Sequence, residues 1–435
     1  MAEFGRRPTK FTTNTGILAA GRTLGYTAAV ERKQSRTLMY VVIGVAIFFL
    51  IDPFNIISPQ DNVAIGRRTD SETVNTLTEL YDQIAQPIDQ YLVRLADNHD
   101  AVFLGYFPRI REPIVNLTAA VPTLYDAGHR AVGVDWFLSR DQEMLDRIVT
   151  APSFNADDVH RLLFNNVVVS GYQEYVDLVE AAWQANNDAP EGAEPFRIIG
   201  LSVFINYELV QTEEDAEDPE VLAQLFPRGA PDNHMAQIIL DDFVGQGQTI
   251  IALLPLQHTL ARYEDTAYAE SAGEAGIDDA RRAARIVYGE IGGRVTNAMF
   301  HNPIQSTESM TGTDYPTAGA IDALVFSKDG VEQFQGFNVV GNAFGALTLP
   351  PTPYVPEGSE EELVLEDLAD GYIVTGPISQ LDAVTAIPGF ITEENVEEAM
   401  RRFPGPKEED LSPQDLNEFQ AGMSQQLDRM IDSFQ

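Results

Sequence analysis

Two runs of apolar residues that stop abruptly at turn or polar residues constrain the fold of this chain more than any other feature. Residues 101–109 read AVFLGYFPR and residues 250–259 read IIALLPLQHT. That is the pattern of a strand buried on both faces, delivering its carboxyl end to a cleft. In open α/β sheets the carboxyl edge is where ligands bind. Here the edge carries Gly105, Tyr106, Phe107 and Pro108 on one strand and His258 on the other, a poor set for chemistry.

Around these runs, short apolar segments alternate with longer helical ones. Strands are expected at 101–105, 131–136, 197–204 and 249–254, with helices at 112–127, across 140–187, at 232–245 and at 278–292. Residues 320–327 (AIDALVFS), 336–341 (GFNVVG) and 371–376 (GYIVTG) read as further strands, the last closing the sheet. The alternation predicts an α/β fold with a mostly parallel sheet and crossover helices. Ahead of it, residues 70–96 repeat Val74, Leu77, Tyr81, Ile84, Ile88, Tyr91, Leu92 and Leu95 at helical spacing, an amphipathic helix kinked at Pro87.

A single transmembrane helix is expected before the α/β domain. Residues 38–51 (LMYVVIGVAIFFLI) carry no charge, and extension to residue 57 gives a span of about 20 residues, enough to cross hydrocarbon. The preceding arm is long and no small-x-small cleavage site follows, so the segment reads as an uncleaved anchor. Arg22, Arg32, Lys33 and Arg36 outweigh Arg67 and Arg68 across it, which places the amino terminus in the cytoplasm and the main domain outside a bacterial inner membrane. The divisions expected are a basic arm (1–37), the span (38–57), a linker with the amphipathic helix (58–99), the α/β domain (100–403) and a carboxy-terminal amphipathic helix (404–435).

Charge and cysteine content exclude several functions. A formal charge of -38, from 66 acidic and 28 basic residues, repels nucleic acid. With no cysteine, the chain has no disulfides, thiolate metal sites or cysteine nucleophile. There is no G-x-S-x-G elbow, no Walker A loop and no HExxH.

From about residue 100 to 380 the order of pieces resembles the haem-binding uptake protein ChaN-like superfamily, whose relatives include erythromycin-esterase-like and TraB and Tiki type proteins. The resemblance rests on VFLG (102–105), GVDWF (133–137), RDQEMLDRI (140–148), the helix 171–186, FRIIGLSV (196–203), Asn233-His234-Met235-Ala236 and the strand ending at His258. Where the family has Leu-Gly-Glu-x-His, this chain reads Leu-Gly-Tyr-Phe-Pro: Tyr106 stands for the acid and Pro108 for the histidine. The resemblance therefore implies a vestigial cleft of Gly105, Tyr106, Arg109, Asp135 and His258, with too few donors left for a metal. Tyrosine can ligate haem iron, so Tyr106 with His258 is the alternative; packing aromatics filling the vacated site is the plainer reading.

Both ends look built for contact. The basic arm carries Phe4, Phe11 and Tyr26; the carboxy-terminal stripe of Leu416, Phe419, Met423, Leu427, Met430, Ile431 and Phe434 follows a Ser412-Pro413 helix start. That helix either folds back or docks on a neighbour. The expectation is a non-catalytic accessory subunit of an integral membrane complex, with no resident cofactor, no catalytic residue and no metal. The rival is a ligand- or haem-binding protein or metal hydrolase using the cleft.

Overall fold

The computed structural model describes residues 65–209, 218–225, 230–274, 277, 280–307, 309, 312–327, 335–355, 362–403 and 411–435. The basic arm with Phe4, Phe11 and Tyr26, the expected span at 38–57 and most of the acidic 212–220 stretch lie outside them. Among the described residues no helix is long and apolar enough to cross a membrane.

The strands are β1 (Gln86–Pro87), β2 (Ala101–Tyr106), β3 (Ala131–Leu138), β4 (Arg197–Ser202), β5 (Ile250–Pro255), β6 (Val295–Phe300), β7 (Ile304–Gln305), β8 (Thr313–Asp314), β9 (Gln335–Asn338) and β10 (Gly371–Val374). Eight form one sheet in the order β1-β9-β10-β6-β2-β5-β3-β4. From β10 to β4 every pairing is parallel, and only β9 runs opposite, antiparallel to both β10 and β1. This is the expected mostly parallel α/β sheet.

Strand alternation explains the layering. All of β2 is buried, yet Val102, Leu104 and Tyr106 join one apolar cluster while Ala101 and Phe103 join another. Successive side chains point to opposite faces, so a continuous apolar strand needs helices on both. On one face lie α2 (Ile88–Asn98) and α3 (Arg111–Asp126), together with α5 (Ala156–Asn166) and α6 (Gln173–Asp188); they follow α1 (Ser71–Ile84) and flank α4 (Gln142–Val149) in the chain. After the short α7 (Pro219–Leu225), the opposite face is covered by α8 (Pro231–Ile238) and, beyond α9 (Thr266–Glu274), by α10 (Ala283–Ile291). The sheet's outer edge at β4 is closed by a side chain: the Gln142 amide donates to Ile198 O and accepts from Gly200 N, both at 2.9 Å. An edge strand covered this way offers little to a pairing partner.

Three expectations need correction. Residues 70–96 are two helices, not one kinked helix: after Ile84 the chain is extended, and Gln86–Pro87 pairs with β9. Proline lacks the N–H that would continue the helix, and its ring excludes the preceding residue from helical geometry. Residues 320–327 form α11 (Ala320–Ser327), not a strand. Ile321, Leu324 and Val325 fall at i, i+3 and i+4 and are wholly buried, and a short, largely apolar run does not separate the two conformations by pattern. The sheet does not close with β10, because β9 and β1 continue it beyond.

At the carboxy terminus the structure takes the first of the two alternatives, a helix that folds back. After α12 (Leu365–Leu368) and α13 (Val396–Arg402), α14 (Pro413–Ile431) starts at a Ser412–Asp415 capping box with proline in the first turn. It packs on its own domain. Leu416, Met423, Leu427, Met430 and Phe434 are buried, and Phe419 lies edge-on to Phe403 at 5.3 Å. Burying such side chains contributes about 1.5–3 kcal/mol each, so the stripe is occupied by the protein's own core. Phe434 pairs beside Ile65, and Ile65 N–H donates to Ser433 O at 2.9 Å.

Candidate functional site

The carboxyl edges of β2, β3 and β5 bring the expected cleft residues into one region. Gly105 is required there: a Cβ would stand 2.5 Å from Thr259 Oγ1 and 2.8 Å from a Leu256 methyl. Those residues belong to the 3-10 turn Leu256–Thr259 that follows β5.

Tyr106 ends β2 with its ring buried, its hydroxyl facing that of Tyr175. Burial first, then Tyr175 and the charge of Asp135, hold the Tyr106 hydroxyl well above its ordinary pKa. Tyr175 in turn stacks on Trp136, with ring centroids 4.2 Å apart and planes 7° off parallel, and meets Tyr172 edge-on at 5.5 Å. These four aromatics plug the edge. The sequence reading missed Trp136, Tyr172 and Tyr175, because aromatic residues on a strand end and a helix look like ordinary core.

Asp135 sits where β3 departs from regular pairing, since the register with β4 shifts between Val134 and Leu138. Burial pushes its carboxyl up to about 6, against the pull of His258. His258 is 1% exposed, and its Nδ1 lies 2.8 Å from Asp232 Oδ1. Asp232 also accepts from Ala283 N at 2.7 Å and from the Tyr268 hydroxyl at 3.3 Å. Arg282 stands 4.0 Å away, paired mainly with Asp265 at 2.7 Å and lying over the Tyr268 ring. Burial raises the Asp232 carboxyl, but His258, Arg282 and the Ala283 N–H outweigh it and leave it lowered. The sequence reading passed over Asp232 although its neighbours 233–236 had been noted; only proximity to His258 in space reveals its part. A second pair missed by sequence, Ser139 Oγ and His234 Nε2, is 2.7 Å apart beyond the end of β3.

A strap over residues 381–391 closes this edge from outside. Arg111 N donates to Asp382 O, Val384 N to Arg109 O, Gln173 N to Thr385 O and Ile387 N to Gly171 O, at 2.8–2.9 Å. Glu174, only 3% exposed, accepts from Thr385 N and Oγ1 at 2.8 and 2.9 Å. The strap is held down by α14: Ser424 Oγ donates to Val384 O at 2.7 Å, and Ala383 N donates to Asp428 at 2.9 Å. Arg109, at the turn after β2, has φ +66 and directs its guanidinium toward Met423 Sδ, 3.1 Å away.

One pocket among the described residues adjoins this edge, and it is small. A pocket of about 20 Å³ lies over Gly105, Tyr106, Phe107 and Pro108, walled by Leu256, Gln257 and Met299 among others. That is room for a water molecule. The Tyr106 phenol faces Tyr175, which does not line this pocket. Among the described residues no group of three or more His, Asp and Glu side chains is arranged to hold a metal ion.

The architecture is thus a helix-covered, mostly parallel α/β sheet whose carboxyl edge is plugged and strapped. No protein-family model matches the chain, and no curated protein matches it. Solved structures do. The chain is similar to an erythromycin esterase variant in its open conformation (10% identity, TM-score 0.42, covering 72% of this chain and 96% of that one). It is also similar to a succinoglycan biosynthesis protein (9% identity, TM-score 0.46, 70% and 97%). ChaN of Campylobacter jejuni, in a structure described as cofacial haem binding, matches at 10% identity and TM-score 0.31, covering 52% and 89%. These likenesses are of overall fold.

Proposed function

We propose that this chain is a non-catalytic accessory subunit of an integral membrane protein complex, anchored in a bacterial inner membrane through residues 38–57. Its amino terminus is cytoplasmic and its α/β domain extracytoplasmic. The basic arm, with Phe4, Phe11 and Tyr26, supplies the partner contacts; the carboxy-terminal helix does not, because its apolar stripe is spent on its own domain. The protein needs no cofactor and binds no nucleic acid.

The observation that supports this most is the closed carboxyl edge. Small-molecule sites commonly enclose 300–1,000 Å³, whereas the space beside Tyr106 is about 20 Å³. Aromatic rings occupy the position where a substrate would meet the sheet, and the strap and α14 lie across it. The anchor rests on the uncharged run at 38–51 and the arginine asymmetry around it.

A second reading is favoured by one observation. His258, with Nδ1 fixed by Asp232 at 2.8 Å, has the arrangement of a general base held in one tautomer. It would require the strap to open. The two readings separate cleanly: an accessory subunit tolerates Tyr106→Phe combined with His258→Gln but loses its complex when residues 1–36 are deleted. A hydrolase shows the reverse.

A further inference from the structure

The chain enters the described domain at a fixed point. Ile65 is buried and forms a parallel bridge with Phe434: its N–H donates to Ser433 O at 2.9 Å, and its carbonyl accepts from Gln435 N at 3.0 Å. Tyr315 backs this bridge, its hydroxyl donating to Gln435 O at 3.0 Å and its ring lying edge-on to Phe434 at 4.8 Å. Arg68 N then donates to Ala318 O at 2.9 Å. Ala318 and Gly319 have φ +51 and +80, and a Cβ on Gly319 would stand 2.6 Å from Arg67 Cγ. A left-handed alanine persists only where its surroundings impose it, so residues 65–68 are seated in the fold.

The seat lies at the carboxyl edge of the sheet. Ile65 and Phe434 share an apolar cluster with Ile110, beyond the end of β2, and with Ile378, beyond the end of β10. The helix α11 begins at the Ala318–Gly319 turn and is tied to the same edge, where Asp322 accepts from Ile378 N at 2.9 Å. Val340 marks the opposite edge, because it follows β9, which runs antiparallel to β10 and ends where β10 begins.

Length then decides which edge is near the membrane. With the span ending at residue 57, eight peptide steps lead to Ile65, a reach of at most about 28 Å. A compact domain of this size is about 50 Å across, so the tether cannot pass around it. The exposed groups beside the seat suit a headgroup layer. Arg67 and Arg68 are both exposed, and Arg68 has only a long ion pair with Asp314, at 3.8 Å. The Arg67 guanidinium lies 4.2 Å over the ring of Phe326, itself 38% exposed. Guanidinium matches the geometry of phosphate oxygens, and an apolar ring beside it can rest at the boundary of the acyl chains.

We propose that the strapped carboxyl edge faces the bilayer and that Arg67, Arg68 and Phe326 dock on the phosphate layer of the lipid headgroups. This rests on the membrane anchor proposed above. Asp70 and Glu72 adjoin the arginines, but the Asp70 carboxylate is engaged as the cap of α1. Docking need not be strong, because the tether supplies the local concentration.

The chain has no cysteine, so one introduced cysteine carries a single label. Ser327→Cys beside Phe326, Val340→Cys at the far edge and Val45→Cys in the span are each labelled with bimane in the full chain. The protein is reconstituted in nanodiscs of phosphatidylcholine and phosphatidylglycerol in equal parts, with nitroxide quenchers on the lipid tails or on the headgroups. The expected result is quenching of the Val45→Cys label from the tails and of the Ser327→Cys label from the headgroups, with the Val340→Cys label unaffected. Adding Arg68→Gln should weaken docking about fivefold, read as a loss of quenching at Ser327→Cys. If the span label is quenched and the Ser327→Cys label behaves like the Val340→Cys label, the anchor stands and the docking face is overturned. No quenching of the span label overturns the anchor, and the docking with it. Shielding of the Ser327→Cys label in the native complex but not in lipid alone would assign the face to a protein partner and also overturn the proposal.

Discussion

Removing the carboxylate of Glu174 is expected to release the strap without unfolding the sheet beneath it. In the native protein that carboxylate accepts from Thr385 N at 2.8 Å and Thr385 Oγ1 at 2.9 Å, and Arg111 Nε lies 3.1 Å away. Hydrogen bonds to a charged acceptor contribute about 1.5–3 kcal/mol each. The ion pair adds less than about 1 kcal/mol, because the Arg111 side chain is 45% exposed. Glu174→Ala also strands the Thr385 N–H, although water entering at a loosened strap recovers part of that cost. The net expectation is a local loss of about 3–5 kcal/mol. Hydrogen exchange followed by mass spectrometry reads it directly: amides of residues 382–387 should exchange roughly two to three orders of magnitude faster, at one order per about 1.4 kcal/mol, while those of β2 and β5 change little. Glu174→Gln, which keeps one acceptor oxygen, should fall between. If the strap in Glu174→Ala stays as protected as in the native protein, the carboxylate does not hold it, and the closure described above is wrong.

Three further outcomes follow from buried groups. Burial pushes the Glu112 carboxyl up to about 7, so the folded state binds its proton more tightly than the unfolded chain and stability falls as pH rises from about 4.5 to 7. Glu112→Gln keeps an acceptor for Asp382 N, and its Tm relative to native should be higher at pH 8 than at pH 5, by about 1–2 kcal/mol of stability. Asp232 has the opposite sign: its lowered carboxyl contributes stability above the usual carboxylate range that is lost as pH falls through the folded value. Asp232→Asn should cost about 3–5 kcal/mol near neutral pH, and the gap in urea midpoint between variant and native should shrink toward pH 3. Gly371→Ala should destabilise by about 1–3 kcal/mol in the same assay, because the new methyl would run into the buried Tyr91 hydroxyl, which donates to Phe337 O.

Much of the fold was legible because parallel strands buried on both faces leave an unmistakable trace. Val102, Leu104, Ile251 and Leu253 are apolar without interruption for that reason, and the helices between strands followed from the same alternation. Three elements were not legible. AIDALVFS satisfies a strand and a helix equally, and what decides is Asp322, buried near the start of α11 beside His301 at 3.3 Å and accepting from Ile378 N. The Pro87 break could be placed but its pairing with β9 could not, because the partner lies about 250 residues away in sequence. The fate of the carboxy-terminal stripe was undecidable from periodicity, since a helix that caps its own domain and one that docks on a neighbour need the same face. At the site, Gly105, Tyr106, Arg109, Asp135 and His258 lie on β2, β3 and the turns after β2 and β5. What filled that edge was hidden: Trp136, Tyr172 and Tyr175 carry no motif, and the strap 381–391 is an irregular segment with no periodicity to read.

The most direct test of the central claim is to extract the native protein from its membranes in mild detergent and determine the mass, subunit content and absorption spectrum of the species that carries it. An accessory subunit should migrate in a large complex of fixed stoichiometry, with no haem band assignable to this chain. A free monomer or homodimer, or one carrying haem or metal, would contradict the account and return the chemistry to His258 and Asp232.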